Sequence, residues 1–326
     1  MTVSASAASA SSGPSTSAGS PRLLIAPDSF KEALAASDAA EAMARGVRRV
    51  LPEAQIDLCP LGDGGEGTLA ALLAAASEAD PIEARSAQVR DPLGRDVTAQ
   101  WGWQPGSRTA IVELAEASGL HLVSPDERDA RAADTHGVGE LILAALDAGA
   151  ERLIVTLGGS ATNDGGSGML RALGLRLLDA DGNELPAGGA ALARLASLDV
   201  SALDPRLADL KVSAAVDVDN PLCGPRGASA VFGPQKGADA AVVEELDAAL
   251  GHFARLSAEV LGADQQQLAG AGAAGGMGYA VAAWLNGELR PGIELVMERL
   301  NVSERLAGCD LLITGEGGLD GQSLGG

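Results

Sequence analysis

The sequence predicts an α/β protein: a Rossmann-like parallel-sheet domain built from both chain ends, with a second mixed α/β domain inserted between them. Three observations carry that expectation. Short apolar runs alternate with Ala-rich helical stretches at the start of the chain, which is the pattern of a parallel sheet with crossover helices. From about residue 82 the texture changes to short alternating runs, and the last segment returns to the first texture. The expected divisions are a disordered tail over 1–20, the Rossmann-like domain over 21–90 and 292–326, and the inserted domain over 91–291.

The elements follow in order. "RLLIAP" (22–27) is an apolar run ended by Pro27 and reads as the first strand. "SDAAEAMARGVRRVLP" reads as a helix, with Ser37 as N-cap, Glu41 in the first turn and a stop at Pro52. "QIDLCPL" is then a strand, "DGGEG" a turn and "TLAALLAAA" a helix. "ARSAQV", "DVTAQWGW" and "TAIVEL" read as strands, several of them antiparallel, with "DPLGR" as a turn. Next come a helix at "GVGELILAALDAG", a strand at "RLIVT", a helix at "GSGMLRALG", a strand at "KVSAAVD" and a long helix near 239–260. An amphipathic stretch near 294–307 and the strand "DLLIT" close the pattern.

Composition excludes several function classes. The chain has 326 residues, with 44 Asp and Glu against 23 Lys and Arg and a net charge of −21, so no basic surface for nucleic acid is expected. Aromatic residues are 2% of the chain, too few for base-stacking platforms. The first 20 residues lack both a basic start and a continuous apolar stretch, and no apolar run elsewhere has membrane-spanning length. Cys59, Cys223 and Cys309 are few and far apart, which fits a reducing, cytoplasmic setting better than a disulfide framework. The expected partner is a small molecule.

Five loops could carry chemistry: "APDSFK" (26–31), "GDGGEGT" (62–68), "GGSATNDGG" (158–166), "DVDNPLCG" (217–224) with "FGPQKGA" (232–238), and "TGEGGLDGQS" (314–323). Most follow a strand and most join Gly to an acidic residue. Glycine lets backbone N–H groups approach an anion at strand ends. Carboxylates beside a phosphate cradle need a cation between them, and Mg²⁺ takes one or two carboxylates plus phosphate oxygens. Phosphoryl transfer uses those parts together with a cationic side chain. Lysine occurs only at Lys31, Lys211 and Lys236 in a chain that otherwise uses arginine, which singles out the two that lie in Gly-rich loops. "GDGGEG" also matches the dinucleotide pattern G-x-G-x-x-G, although Asp63 and Glu66 would face the pyrophosphate. "GAGAAG" (270–275) matches it too but reads as a helix start. No Walker loop is present, and His121, His136 and His252 have no metal-ligand spacing.

"LLIAPDSFKEALAASDAAEAM", "PLGDGGEGT", "DPLGR", "LGGSATNDGGSGML", "DVDNPLCGPRGASAVFGPQKGA", "GAGAAGGMGYA" and "LLITGEGGLDGQS" together resemble, in this order, the bacterial glycerate kinase family. The resemblance spans residues 22–326. It implies a two-domain α/β protein with a cleft between the domains, ATP and Mg²⁺ as cofactors, D-glycerate as substrate and 2-phosphoglycerate as product. On the matched positions, Asp164 or Asp217 is expected to orient the glycerate hydroxyl, and Asp63 and Asp217 to bind Mg²⁺. Lys31 with Ser29 is expected to reach a phosphate or the glycerate carboxylate, with Lys236 as a second phosphate contact. Gly158, Gly159 and Ser160 would offer donors to an anion, and Asn163 would bind substrate or metal. Gly64 and Gly65 are expected to contact substrate or phosphate, Glu66 with Asp63 to contact metal or hydroxyl, Asn220 to complete the acidic cluster with Asp217, and Glu316 and Asp320 to lie on the returning strand's loop. In the family the chain continues through a Gly-Lys-x-Pro segment, so the end-built domain is expected to lack part of its sheet and to leave an edge open to self-association as a homo-oligomer. Two alternatives accompany the kinase: a non-catalytic nucleotide- or glycerate-binding protein, and a NAD-dependent oxidoreductase using "GDGGEG".

Overall fold

The computed structural model describes residues 20–30, 33–77 and 80–317. The expected tail lies outside these residues, apart from Ser20. The chain runs through β1 (Arg22–Ile25), α1 (Ala36–Val50), β2 (Gln55–Leu58), α2 (Thr68–Ala75), β3 (Glu83–Arg90), β4 (Asp96–Gln104), β5 (Thr109–Glu113) and α3 (Ala115–Ser118). It continues with α4 (His136–Asp147), β6 (Arg152–Thr156), α5 (Ser167–Ala172), β7 (Arg176–Leu178), β8 (Ser197–Asp199), β9 (Lys211–Ala215) and α6 (Ala228–Phe232). The last elements are α7 (Ala240–Leu261), α8 (Ala273–Trp284), β10 (Glu288–Arg290), α9 (Gly292–Arg299), α10 (Val302–Ala307) and β11 (Leu311–Ile313).

Two sheets organise these elements. The first has the order β11-β1-β2 and is parallel, with Leu24 opposite both Leu312 and Asp57. The second is mixed and has the order β10-β9-β6-β5-β4-β3. Its β3-β4-β5 side is antiparallel, as the alternating runs predict, and its β5-β6-β9-β10 side is parallel. β7 and β8 form a separate antiparallel pair.

Side-chain alternation along the strands explains how the sheets pack. Ile25 turns toward Ala40 and Ala44 of α1, while Leu24 turns to the opposite face and joins Leu69 and Leu72 of α2. In β5, Ala110 and Val112 enter the large core under α4 and α5, whereas Ile111 points back into the Leu24 cluster. That cluster also takes in Val296, Leu300 and Val302, so both sheets share one apolar layer. No helix among the described residues is long and apolar enough to cross a membrane.

Several expectations need correction. β3 pairs with β4 along its whole length, so residues 83–90 belong to the six-stranded sheet and not to the β11-β1-β2 sheet. The N-cap of α1 is Ala35, which makes no side-chain cap, and Ser37 lies inside the helix; the extended backbone at Ala35 sets the start. The stretch near 294–307 is two helices, because Asn301 adopts φ 50° and breaks the ladder between α9 and α10. By contrast, α7 starts where its sequence says, with the Asp239 side chain accepting from Val242 N at 2.9 Å. "GAGAAG" does open a helix, but Ala274, Gly275 and Gly276 all take positive φ at its start.

Candidate active site

A cleft of about 970 Å³ lies beyond the carboxyl ends of β1, β2, β6 and β9, and four of the five Gly-rich loops reach it. Its walls include Asp28 and Ser29 after β1, Gly62–Thr68 after β2, Leu157–Ser160 after β6 and Ala215–Val218 after β9, with Lys236 and Ala274 behind. Strand ends of two sheets therefore converge on one space, which is where open α/β sheets bind ligands.

The 62–68 loop is held from both sides. Gly64 N donates to Thr68 Oγ1 at 3.1 Å, and Asp63 Oδ1 accepts from Gly65 N at 2.8 Å. Across the loop, Asp217 Oδ1 accepts from Gly292 N at 3.0 Å, and a Cβ placed on Gly64 would lie 3.5 Å from Asp217 Oδ2. Asp63 and Asp217 thus flank the same turn and line the same cleft. The Glu66 carboxylate stands 3.5 Å from His121 Nδ1 at the rim.

Glu113, outside the cleft wall, holds the 62–68 loop from behind and was missed by the sequence reading. It ends β5, is 3% exposed, and accepts from Gly67 N at 2.7 Å and Leu69 N at 2.9 Å. It therefore caps α2 from the other sheet. Burial pushes its carboxyl above the usual range, the two backbone donors oppose that rise, and Glu116 and Glu66 add to it. The available signal was one acid closing the apolar run "TAIVEL". Because Glu113 already occupies the N-terminus of α2, "GDGGEG" has no free helix end for a pyrophosphate, and the nicotinamide reading loses its binding device.

The 158–166 loop splits into two halves with different tasks. Gly158, Gly159 and Ser160 face the cleft. A Cβ on Gly158 would strike Gly65 Cα, so only glycine lets these two loops touch. Ser160 Oγ accepts from Lys236 Nζ at 2.8 Å, and Thr162 O accepts from the same ammonium nitrogen at 2.6 Å. Lys236 is 1% exposed, and burial pulls its amine down to about 7 against a smaller upward pull from Asp164.

Asp164 and Asn163 turn away from the cleft. Asp164 Oδ2 accepts from Thr135 N at 3.0 Å, Thr135 Oγ1 at 2.8 Å and Gly168 N at 2.9 Å, and its Oδ1 accepts from Gly166 N at 3.1 Å. Burial raises its carboxyl, and the neighbouring Asp134 raises it further. This carboxylate anchors α5 against the start of α4, so the expectation that it contacts the substrate hydroxyl is not met by its position. Asn163 is fully buried and donates to Ser229 Oγ at 2.8 Å. Asn220 donates to Arg226 O at 2.7 Å and pins its own loop. Glu316 is exposed and is not part of the cleft wall, although its neighbour Gly315 accepts from Asp28 N at 2.9 Å. Lys31 and Asp320 lie outside the described residues.

The architecture and the sequence have close relatives. The family model described as the glycerate kinase family matches residues 23–326. The chain is 50% identical to the glycerate 2-kinase of Escherichia coli K12 over 305 residues, which cover 94% of this chain and 79% of that protein. It is likewise 50% identical to the glycerate kinase of Bacillus subtilis 168 over 307 residues, with the same shares covered. A solved structure of a candidate glycerate kinase 2 from Salmonella typhimurium LT2 superposes with a TM-score of 0.87 at 48% identity, covering 94% of this chain and 81% of that one. Matched over nearly its whole length by the family model and by relatives at half identity, the chain belongs to the glycerate kinase family.

Proposed function

We propose that this chain is an ATP-dependent glycerate kinase of the cytoplasm, transferring the γ-phosphoryl group to the 2-hydroxyl of D-glycerate. The observation that carries the reading is the meeting of Asp63, Asp217 and the Gly158–Ser160 backbone in one cleft between two sheets. The three cysteines are free, in keeping with a reducing compartment.

The donor set suits Mg²⁺. Asp63 and Asp217 supply hard oxygens, and no group of three or more ligating side chains is found among the described residues. Mg²⁺ takes one or two carboxylates and fills its remaining sites with phosphate oxygens and water. When bound, Mg²⁺ would neutralise charge building on the transferring phosphoryl group. The chain's own residues do the positioning. Gly65 N and Gly292 N hold the two carboxylates by hydrogen bonds, so both stay aimed into the cleft. Gly158 and Gly159 would let phosphate oxygens come close to the backbone, and Ser29, in the cleft wall, would offer its hydroxyl to the glycerate carboxylate.

Coupled ADP release from the purified chain, with D-glycerate and ATP in the presence and absence of Mg²⁺, tests this reading. Phosphorus NMR of the product separates 2- from 3-phosphoglycerate. A folded chain that binds both substrates yet releases no ADP would leave a binding protein in place of the kinase.

A further inference from the structure

From the position of Ser160 and Lys236 we infer that these two residues form the proton relay of the reaction: Ser160 takes the proton of the attacking hydroxyl and passes its own to Lys236. This rests on the kinase reading above and deepens it by naming the base.

Phosphoryl transfer to an alcohol needs a group to orient or accept the hydroxyl proton. Asp164, one of the two carboxylates the sequence offers for that task, accepts from four donors and turns away from the cleft. Asp63 and Asp217 are the cation-binding candidates, and a carboxylate bound to a divalent ion is a poor base. Ser160 and Lys236 stand side by side in the cleft wall with Nζ and Oγ 2.8 Å apart, a donor and acceptor already in contact.

Lys236 is built as a base and not as a charge clamp. It is buried, and both its hydrogen-bond acceptors are neutral oxygens, Ser160 Oγ and Thr162 O. An ammonium buried among neutral partners gives up its proton readily, and the fall of the Lys236 amine to about 7 reflects that burial. The neutral amine keeps a hydrogen for Thr162 O and turns its lone pair to the Ser160 hydroxyl. The charged groups facing it are few. Asp164 lies on the core side of the 158–166 loop with Asp134 beyond it, and Arg128 holds Gln235 O on the neighbouring residue.

The step balances. As the substrate oxygen forms its bond to phosphorus and the bond to the ADP oxygen breaks, the substrate proton passes to Ser160 Oγ. The Ser160 proton passes to Nζ, and Lys236 becomes an ammonium stabilised by the Asp164 charge. ADP leaves as the anion, and Lys236 returns the proton to solvent after release. Ser160 is thus the group that meets the substrate hydroxyl, and Lys236 acts through it as a positioning residue and proton store.

The test is the pH profile of kcat/KM for the wild-type chain, Ser160→Ala, Lys236→Met and Lys236→Ala, with ATP binding measured by calorimetry on each. The wild type should show an acid limb near pH 7. Lys236→Met should lose about 100- to 1,000-fold in kcat and lose the limb, while ATP affinity changes less than about threefold. Ser160→Ala should lose about 10- to 100-fold and keep the fold. Added primary amines should restore part of the Lys236→Ala activity, more strongly as the amine becomes more basic. The relay is wrong if the acid limb survives in Lys236→Met, or if the whole loss appears as weaker ATP binding. Absence of glycerate-dependent turnover in the folded wild-type chain would instead remove the kinase reading, and the relay with it.

Discussion

Thr135, Gly166 and Gly168 direct four hydrogen-bond donors at the Asp164 carboxylate, so an amide there would set N–H against N–H in a dry interior. Asp164→Asn should therefore destabilise the fold by about 3 kcal/mol, read as a lower urea midpoint. Asp217→Asn lies at an exposed position and should stay within about 1 kcal/mol of wild type, yet lose at least about 100-fold in kcat. The reverse pattern would restore Asp164 as the residue that meets the substrate. Lys236 gives a second test, in pH. Its amine falls from 10.5 in the unfolded chain to about 7 in the fold, so between those values the unfolded state binds the extra proton. Stability then rises with pH across that window and is lost as pH falls through 7. Between pH 7 and 8.5 the wild type should gain about 1.5 kcal/mol more than Lys236→Met, and equal gains would show that the amine is not depressed. Neither distinction is visible in "GGSATNDGG". One loop carries Ser160 on its cleft side and Asp164 on its core side, and only the contact with Thr135, 29 residues earlier, tells which way each turns.

Loops and helices show how one element fixes another. Gly158 follows β6 and Gly65 precedes α2, and a side chain on Gly158 would meet only backbone, which has no rotamer by which to yield. Gly158→Ala should force the two loops apart. The expected result is a loss of about 1–3 kcal/mol in stability and a larger fall in kcat/KM than in ATP affinity, checked by chemical denaturation and steady-state kinetics on the same samples. Unchanged kinetics would mean that the contact does not position the cleft. At this scale much was legible. The strand-and-helix order, the antiparallel run after residue 82 and the cap of α7 follow from local pattern, because periodicity and capping are local physics. What escaped was set at a distance. Glu113 caps α2 across 46 residues, and β3 joins the second sheet because its whole length finds a partner in β4.

At the scale of the whole molecule, the cleft exists because two sheets are held at a fixed spacing by the layer between them. Ile111 is the hinge of that layer: it belongs to the six-stranded sheet, is fully buried, and packs in the cluster built by Leu24, Leu69 and Leu72 of the first sheet and its helix, with Val296 and Leu300 of α9 and its C-cap. The adjacent Ala110 and Val112 face the opposite core, so a change at Ile111 acts on the junction and leaves the interior of the second sheet intact. Ile111→Ala should cost about 2–5 kcal/mol through lost burial and the cavity left behind. If the shared layer couples the sheets, calorimetry on the variant should show one transition moved down as a unit, and KM for both substrates should rise because loops of both sheets line the cleft. Two separated transitions, the first lowered and the second unmoved, would mean that the sheets fold independently and that the cleft is only their line of contact. The alternation of Ala110, Ile111 and Val112 is legible in the sequence as a buried strand; that its two faces serve two different cores follows only from where α2 and α9 come to rest.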